Sequence, residues 1–298
     1  MEILNINHLA KRFGEKEVLK GIDLSVKAGG IYGFIGQNGS GKTTTMKAIL
    51  GLLKPDSGEI FVCGEKVNFG ETKTNRHVGY LPDVPEFYSF LTAREYLRLC
   101  GESLGMNNVE ITHRSSELLK LVSLENEKHR IKGYSRGMKQ RLGIAQALLG
   151  RPKLLICDEP TSALDPMGRK EILDILLSVK DQTTVLFSTH ILTDVERICT
   201  DVAFLHNGKI AMQGSVADLK KLHPSQDYYI QLQRPSDTNA LLTAFSDARM
   251  DKDGKIIFSG EEDCLFKLLG YLSAQKILIS EIKRIEPTLE NLFMEVVG

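Results

Sequence analysis

Hydrophobic and polar positions divide the first two thirds of the chain into short strands that alternate with helices. The pattern predicts strands over 1–27, 31–35, 59–69, 77–81, 153–157 and 183–188, and helices over 42–53, 166–180 and 192–199. Between about residues 92 and 149, apolar positions recur at helical spacing. Strands that alternate with helices are typical of an α/β fold built on a parallel sheet.

Beyond about residue 220 the pattern restarts on a smaller scale. It predicts strands over 228–232, 255–258 and 277–285, helices over 237–246 and 263–274, and a final short helix that opens at Pro287. We therefore expect two domains, a large one over 1–220 and a small α+β domain over 221–298.

Composition narrows the class of protein. The 298 residues are 42% hydrophobic and 26% charged, which is a globular mixture and not a disordered one. Lys plus Arg number 38 and Asp plus Glu number 38, and a net charge of zero argues against a nucleic-acid partner. Five cysteines without a CxxC pair suggest neither a disulfide framework nor a zinc site.

Targeting signals are not visible in the sequence. No apolar run approaches the roughly 18 residues of a membrane-spanning helix. The first residues lack the basic and apolar regions of a signal peptide. We expect a cytoplasmic protein.

A glycine-rich loop between a predicted strand and a predicted helix carries the strongest chemical signal. It matches the phosphate-binding pattern G-x-x-x-x-G-K-[ST]. The matching residues are Gly36, Gln37, Asn38, Gly39, Ser40, Gly41, Lys42 and Thr43, and Thr44 follows them. The glycines allow backbone N–H groups to face phosphate oxygens, and the helix dipole favours an anion. Lys42 can reach the β- and γ-phosphates, and the Thr43 hydroxyl can bind Mg²⁺. The loop predicts a nucleoside triphosphate site.

Two acids and a histidine follow other buried strands. Asp158 and Glu159 end one strand, and His190 follows the next. Ligands in open α/β sheets bind at this carboxyl edge. Asp158 can hold Mg²⁺, Glu159 can deprotonate the attacking water, and His190 can bond the γ-phosphate. The alternatives are two solvated loop acids and a structural histidine.

Residues 134–141, Tyr-Ser-Arg-Gly-Met-Lys-Gln-Arg, resemble the LSGGQ signature of ATP-binding cassette (ABC) ATPases. The phosphate loop, Asp158-Glu159, the D-loop at 162–165 and Thr189-His190 extend the resemblance, in the expected order, from residue 1 to about 220. The resemblance implies a P-loop NTPase cassette of the α/β class. Its parts would be a parallel-sheet core, an antiparallel β subdomain and a helical subdomain over about 88–150.

The resemblance also implies individual roles in binding ATP. Phe13 would stack on adenine, with an ordinary core phenylalanine as the alternative. Ser135 and Gly137 would contact the γ-phosphate of ATP held by a second subunit. Asp165 would cross the dimer interface, and His190 would be the switch histidine.

Three positions depart from the family pattern. Arg136 and Met138 make the signature bulkier and add a charge, although Ser135 and Gly137 remain. At Asp83 most members carry Gln or Glu. Asp83 is expected to contact the metal ion or a water, and its alternative role is to cap the following turn.

The function that the resemblance implies is the ATP-hydrolysing subunit of an ABC transporter. It would power export through a separate membrane permease, as a homodimer or heterodimer on the cytoplasmic face of the membrane. The region 92–149 would carry the coupling surface. Phe87, Tyr88 and Phe90 would receive a permease helix, or else form a small core cluster.

Other functions remain possible at this stage. One alternative is a soluble ABC ATPase that acts on ribosomes or DNA, and another is a non-transport ATP-dependent regulator. The segment beyond residue 220 resembles the tail of ATPase subunits in bacterial drug exporters. A dimer-bracing role and a regulatory role are both open for it.

Overall fold

The computed structural model describes residues 2–71, 73–222, 227–251, 254–260, 262–285 and 287–297. The chain divides into two compact units, Met1–Ala217 with Phe293–Gly298, and Asp218–Leu292. The predicted small domain extends to residue 298, whereas the described residues from Phe293 onwards group with the first unit. There the ring of Phe293 stacks on that of Phe204, with centroids 5.8 Å apart.

The chain order of the elements is that of an α/β protein followed by a smaller α+β unit. The helices and strands up to residue 222 are β1 (Glu2–Phe13), β2 (Lys16–Lys27), β3 (Ile31–Ile35), α1 (Lys42–Ile49), β4 (Ser57–Val62), β5 (Glu65–Lys66), β6 (Val78–Leu81), α2 (Ala93–Ser103), α3 (Asn108–Leu121), α4 (Arg136–Leu148), β7 (Leu154–Asp158), α5 (Pro166–Val179), β8 (Thr184–Thr189), α6 (Leu192–Ile198), β9 (Asp201–His206), β10 (Lys209–Ser215) and α7 (Val216–Leu222). Those that follow are β11 (Asp227–Leu232), α8 (Thr238–Ala244), β12 (Ala248–Met250), β13 (Ile256–Ser259), α9 (Glu262–Ala274), β14 (Ile279–Arg284) and α10 (Leu289–Val297).

A six-stranded sheet forms the centre of the first unit, in the order β10-β9-β3-β8-β7-β6. All neighbouring strands in it are parallel except β10, which runs antiparallel to β9. Every residue of β3, β7 and β8 is buried, as expected for short apolar strands that are covered on both faces. The predicted parallel α/β core is confirmed.

A second sheet of the first unit is antiparallel, in the order β2-β1-β4-β5. The single strand predicted over 59–69 is wrong, because the chain turns at Cys63 and Gly64. Both residues are left-handed, with φ of 52° and 79°. Two consecutive residues of this kind make the tight turn that joins β4 to β5 as a hairpin.

The first helix is shorter than the predicted 42–53. It ends at Ile49, because Gly51 takes a left-handed φ of 68°. The amide of Gly51 donates to the Ala48 carbonyl (3.0 Å), and that of Leu52 donates to the Lys47 carbonyl (2.9 Å). These bonds satisfy the last carbonyls of the helix and stop it.

Helices α2, α3 and α4 pack on one another within the first unit. Thr92 with Glu95 and Asn107 with Glu110 make capping boxes that begin α2 and α3. Helix α4 packs on β6 so closely that a Cβ atom on Gly79 would lie 2.2 Å from the Ala147 carbonyl oxygen. In the described part of the chain, no helix is long and apolar enough to cross a membrane.

The second unit is a four-stranded antiparallel sheet, in the order β12-β13-β11-β14. Helices α8 and α9 contribute Leu241, Leu268 and Leu272 to its core. These side chains pack with Ile230 and Phe258 from the sheet. The predicted α+β character of this segment is confirmed.

We expect Gly79→Ala to destabilise the first unit by about 1–3 kcal/mol, because the added methyl group must push β6 away from α4. The measurement is the calorimetric melting temperature. Gly270→Ala in α9 is the control, since nothing lies within 4 Å of its Cβ position. An unchanged melting temperature for Gly79→Ala would show that β6 and α4 are not in close contact.

Candidate functional site

The phosphate loop links β3 to α1 in a tight curve. Gly39 and Gly41 are left-handed, with φ of 81° and 116°. A Cβ atom on Gly36 would lie 2.5 Å from Ser40 Oγ, and one on Gly41 would lie 2.6 Å from Leu19 Cδ2. The glycine pattern is therefore required by close contacts within the loop and with β2. No acidic side chain occupies the first turn of α1, so the helix N-terminus is free to favour an anion.

Lys42 is buried beneath this loop. Its Nζ atom donates to the carbonyls of Gly36 (2.7 Å) and Gln37 (3.2 Å). It also lies 3.1 Å from Glu159 Oε1. A buried ammonium group needs such partners, because desolvation of a charge is costly. The lysine thus holds the phosphate loop and the acid that follows β7 together.

Thr43, Asp158 and Ser188 form a chain of hydrogen bonds. Thr43 Oγ1 donates to Asp158 Oδ2 (2.8 Å), and Ser188 Oγ donates to Asp158 Oδ1 (2.7 Å). Hydroxyl and carboxylate oxygens are the donors that Mg²⁺ prefers, so Thr43 and Asp158 fit this ion. Among the described residues, no group of three or more His, Cys, Asp or Glu side chains could hold a metal ion.

Glu159 lies between Lys42 and His190. Its Oε2 atom is hydrogen-bonded to His190 Nδ1 at 2.9 Å. Its backbone is left-handed, with φ of 47°, which is strained for a residue with a side chain. Its amide donates to the carbonyl (3.1 Å) and the hydroxyl (3.0 Å) of Ser188 and so anchors this conformation. This left-handed backbone directs the carboxylate towards the loop and the histidine.

Strand register explains why these residues meet. Ile35 at the end of β3 pairs with Thr189 of β8, and Asp158 of β7 pairs with Ser188. The three strands are adjacent and parallel, so the residues that follow them emerge at one edge. Burial, with the Asp158 carboxylate as a further cause, raises the pKa of the Cys157 thiol beneath this edge, which keeps the thiol protonated and unreactive.

Phe13 lies at the end of β1 and is 50% exposed, so it is not a core residue. The Lys11 ammonium lies 5.5 Å from its ring centroid. The Cβ position of Gly41 is close to Val18 and Leu19 of β2, which pairs with β1. The proposed contact of Phe13 with adenine stays a prediction.

The signature opens α4 with an exposed helix N-terminus. Ser135 is the N-cap, and its hydroxyl accepts from the Met138 amide at 3.2 Å. Nothing lies within 4 Å of the Cβ position of Gly137. Asp165 is the N-cap of α5, where its carboxylate accepts from the Gly168 amide at 2.9 Å. The roles of these residues towards a second subunit stay predictions.

Asp83 follows β6 and is engaged with protein groups rather than with Thr43 or Asp158. Its carboxylate accepts hydrogen bonds from Ser162 Oγ and from Arg136 Nη2, the latter at 3.5 Å. These side-chain contacts therefore do not bring Asp83 to the predicted metal ligands Thr43 and Asp158. The alternative role, capping of the next turn, does not describe these contacts either.

Sequence reasoning missed a buried network that braces the D-loop. Asp194 of α6 accepts from Thr161 Oγ1 (2.8 Å) and from Arg169 Nη2 (2.7 Å). Ser188 was missed as well, although its place two residues before His190 was a usable signal. Nothing in the local pattern indicated Asp194, since its partners are 33 and 25 residues away.

The aromatic residues after β6 lie outside the phosphate site. Phe87 packs edge to face on Tyr96, with ring centroids 5.0 Å apart. Tyr88 and Phe90 are 57% and 62% exposed, so a core cluster accounts only for Phe87. Tyr88 and Tyr96 also line a groove of about 1220 Å³ among α2, α3, α4 and β6.

Comparison with known proteins gives the same family from the sequence and from the structure. A sequence model of the family described as ABC transporter matches residues 19–162. The bacitracin transport ATP-binding protein BcrA of Bacillus licheniformis is 35% identical, over 99% of this chain and 97% of that protein. The linearmycin resistance ATP-binding protein LnrL of Bacillus subtilis is 33% identical, over 99% and 98%.

A solved structure extends the likeness to the fold. CbiO1 of Clostridium perfringens, described as part of the ABC transporter complex cbiONQ, superposes with a TM-score of 0.68 at 26% identity. The match covers 81% of this chain and 99% of that one. With the phosphate loop, acids and signature in place, the chain belongs to the ABC transporter family, as an ATP-binding subunit.

Proposed function

We propose that this chain hydrolyses ATP to drive export through a separate membrane permease. The observation that supports the proposal best is the placement of Glu159 between Lys42 and His190, at 3.1 Å and 2.9 Å. A carboxylate that can accept a proton from water, beside an ammonium group that can bind phosphate, suits hydrolysis of a γ-phosphate.

Each of these groups has a distinct part in the reaction. The loop amides and Lys42 bind the β- and γ-phosphates and hold the γ-phosphate in place. Glu159 accepts a proton from the water that attacks the γ-phosphate. His190 orients the Glu159 carboxylate through Nδ1. Mg²⁺ held by Thr43 and Asp158 would neutralise charge on the phosphate oxygens. Closure of the site excludes solvent other than the attacking water, which strengthens the electrostatic interactions within the site.

Two chains are needed for two complete sites. Each chain carries one phosphate loop and one signature, and the exposed N-terminus of α4 at Ser135 and Gly137 is free to meet an anion on another molecule. We infer an ATP-dependent dimer in which each chain closes the site of its partner. The partner is a second copy or a related cassette.

The membrane partner and the direction of transport are inferred from relatives. BcrA and LnrL are named for bacitracin transport and linearmycin resistance, and CbiO1 belongs to a transporter complex. Export of a toxic or antibiotic-like compound is the transport that these names favour. The chain would then act on the cytoplasmic face of the membrane, with the groove beside Tyr88 and Tyr96 receiving a permease helix.

We expect Glu159→Gln to lower the ATPase rate by about 100-fold or more, because the attacking water loses its base. ATP binding should survive, so the variant should accumulate as an ATP-bound dimer. Phosphate release and size-exclusion chromatography with ATP and Mg²⁺ measure the two effects. Glu102→Gln, an exposed glutamate on α2, is the matched control. Undiminished turnover of Glu159→Gln would disprove its role as the base.

The exposed aromatic pair provides a separate test of the permease partner. Tyr88→Ser with Phe90→Ser should leave the ATPase rate of the isolated chain within about twofold, since both rings are exposed and their ring contacts are with each other and with Tyr96. The double variant should be lost from the membrane fraction of cells that co-express the proposed permease partner.

The matched control for this loss is Phe266→Ser, which removes another exposed ring, 68% accessible, from the second unit. It should stay in the membrane fraction. Equal retention of the Tyr88/Phe90 variant would place the permease contact elsewhere on the chain.

A further inference from the structure

Two of the three departures from the family pattern, Arg136 and Asp83, meet in one polar cluster. Arg136 Nη2 lies 3.2 Å from Ser162 Oγ and 3.5 Å from Asp83 Oδ1, and the Ser162 hydroxyl donates to the same carboxylate. Gln140 Nε2 donates to the Asp83 carbonyl oxygen at 2.6 Å. The cluster therefore joins the start of α4, the loop after β6 and the D-loop within a single chain.

Asp83 adds a carboxylate to an edge that already carries acids. Leu81 of β6 pairs with Cys157 of β7, so Asp83 emerges beside Asp158. Burial raises the pKa of Tyr80 to about 12, and the carboxylates of Asp158 and Asp83 contribute to the shift. Both acids thus act on the same side chain.

This position matters because the nucleotide is itself an anion. Of the Gln or Glu that most family members carry here, a neutral glutamine would not repel phosphate groups. A carboxylate would repel them unless a cation offsets its charge. The only cationic partner that the described contacts give Asp83 is Arg136, at a signature position where the family has glycine.

We propose that Arg136 is a positioning residue for nucleotide binding within its own chain. Its guanidinium neutralises Asp83 and holds the carboxylate on Ser162, away from the phosphates. The proposal rests on the proposed function, which makes a nucleotide with Mg²⁺ the ligand of this edge. It assigns Asp83 and Arg136 to one compensated pair rather than to two independent departures.

The pair should affect nucleotide affinity much more than stability. The side chains of Arg136 and Asp83 are 45% and 47% exposed. Ion pairs with this exposure contribute little to folding, because water and salt screen them. The free carboxylate left by removal of Arg136 would instead act on the phosphates of every bound nucleotide.

The test is the affinity for ADP with Mg²⁺, measured by isothermal titration calorimetry on the full chain. ADP lacks the γ-phosphate that the signature would contact in a second subunit, so it isolates the effect within one chain. Arg136→Gln should weaken ADP binding by about threefold at low salt. The loss should shrink in about 0.5 M salt, which screens charges but does not repair packing.

Rescue by the partner distinguishes the proposal from a local packing effect. Asp83→Asn alone should not weaken ADP binding, and with Arg136→Gln it should restore the affinity to within about twofold of the unmodified chain. Arg136→Gly, which brings back the family residue, should weaken binding as Arg136→Gln does. Asp83→Gln should rescue it.

The matched control is Arg197→Gln, which breaks an ion pair with Asp174 whose side chains are 40% and 50% exposed. It should leave ADP affinity unchanged, and all variants should keep the melting temperature of the unmodified chain.

Unchanged affinity in Arg136→Gln, or a failed rescue by Asp83→Asn, would overturn the proposal. A chain that binds no ADP in any form would instead contradict the nucleotide site itself.

Discussion

The site depends on one constraint, the adjacent parallel pairing of β3, β8 and β7. These strands are buried throughout and carry few polar side chains before their carboxyl ends. Because they pair in register, the phosphate loop, His190 and the acids Asp158 and Glu159 emerge at one edge. Packing on both faces fixes the relative positions of the strands. The functional residues that follow them are therefore held in fixed positions as well.

Charge at this edge is balanced by specific pairs. Lys42 is offset by Glu159 and by the carbonyls of its own loop, and Asp158 is held by the hydroxyls of Thr43 and Ser188. A buried charge without such partners would cost several kcal/mol. The same principle accounts for Arg136 beside Asp83. This pair contributes less to stability, because both groups are partly exposed.

Local patterns were sufficient to predict much of this arrangement. A glycine loop after an apolar strand and acids at the end of another specify which residues reach the carboxyl edge. The turn at Cys63–Gly64 and the end of α1 before Gly51 were missed, because left-handed backbone at these places follows from local geometry that periodicity does not reveal. The partners of Asp83 were missed for another reason. They lie 53 and 79 residues away, and only the packed loops bring them together.

We propose that this edge binds the phosphates of ATP between two chains. The most direct measurement is a crystal structure of Glu159→Gln with ATP and Mg²⁺. We expect a dimer with the γ-phosphate between Lys42 of one chain and Ser135 and Gly137 of the other. A nucleotide bound away from the loop, or a complete site within one chain, would contradict it.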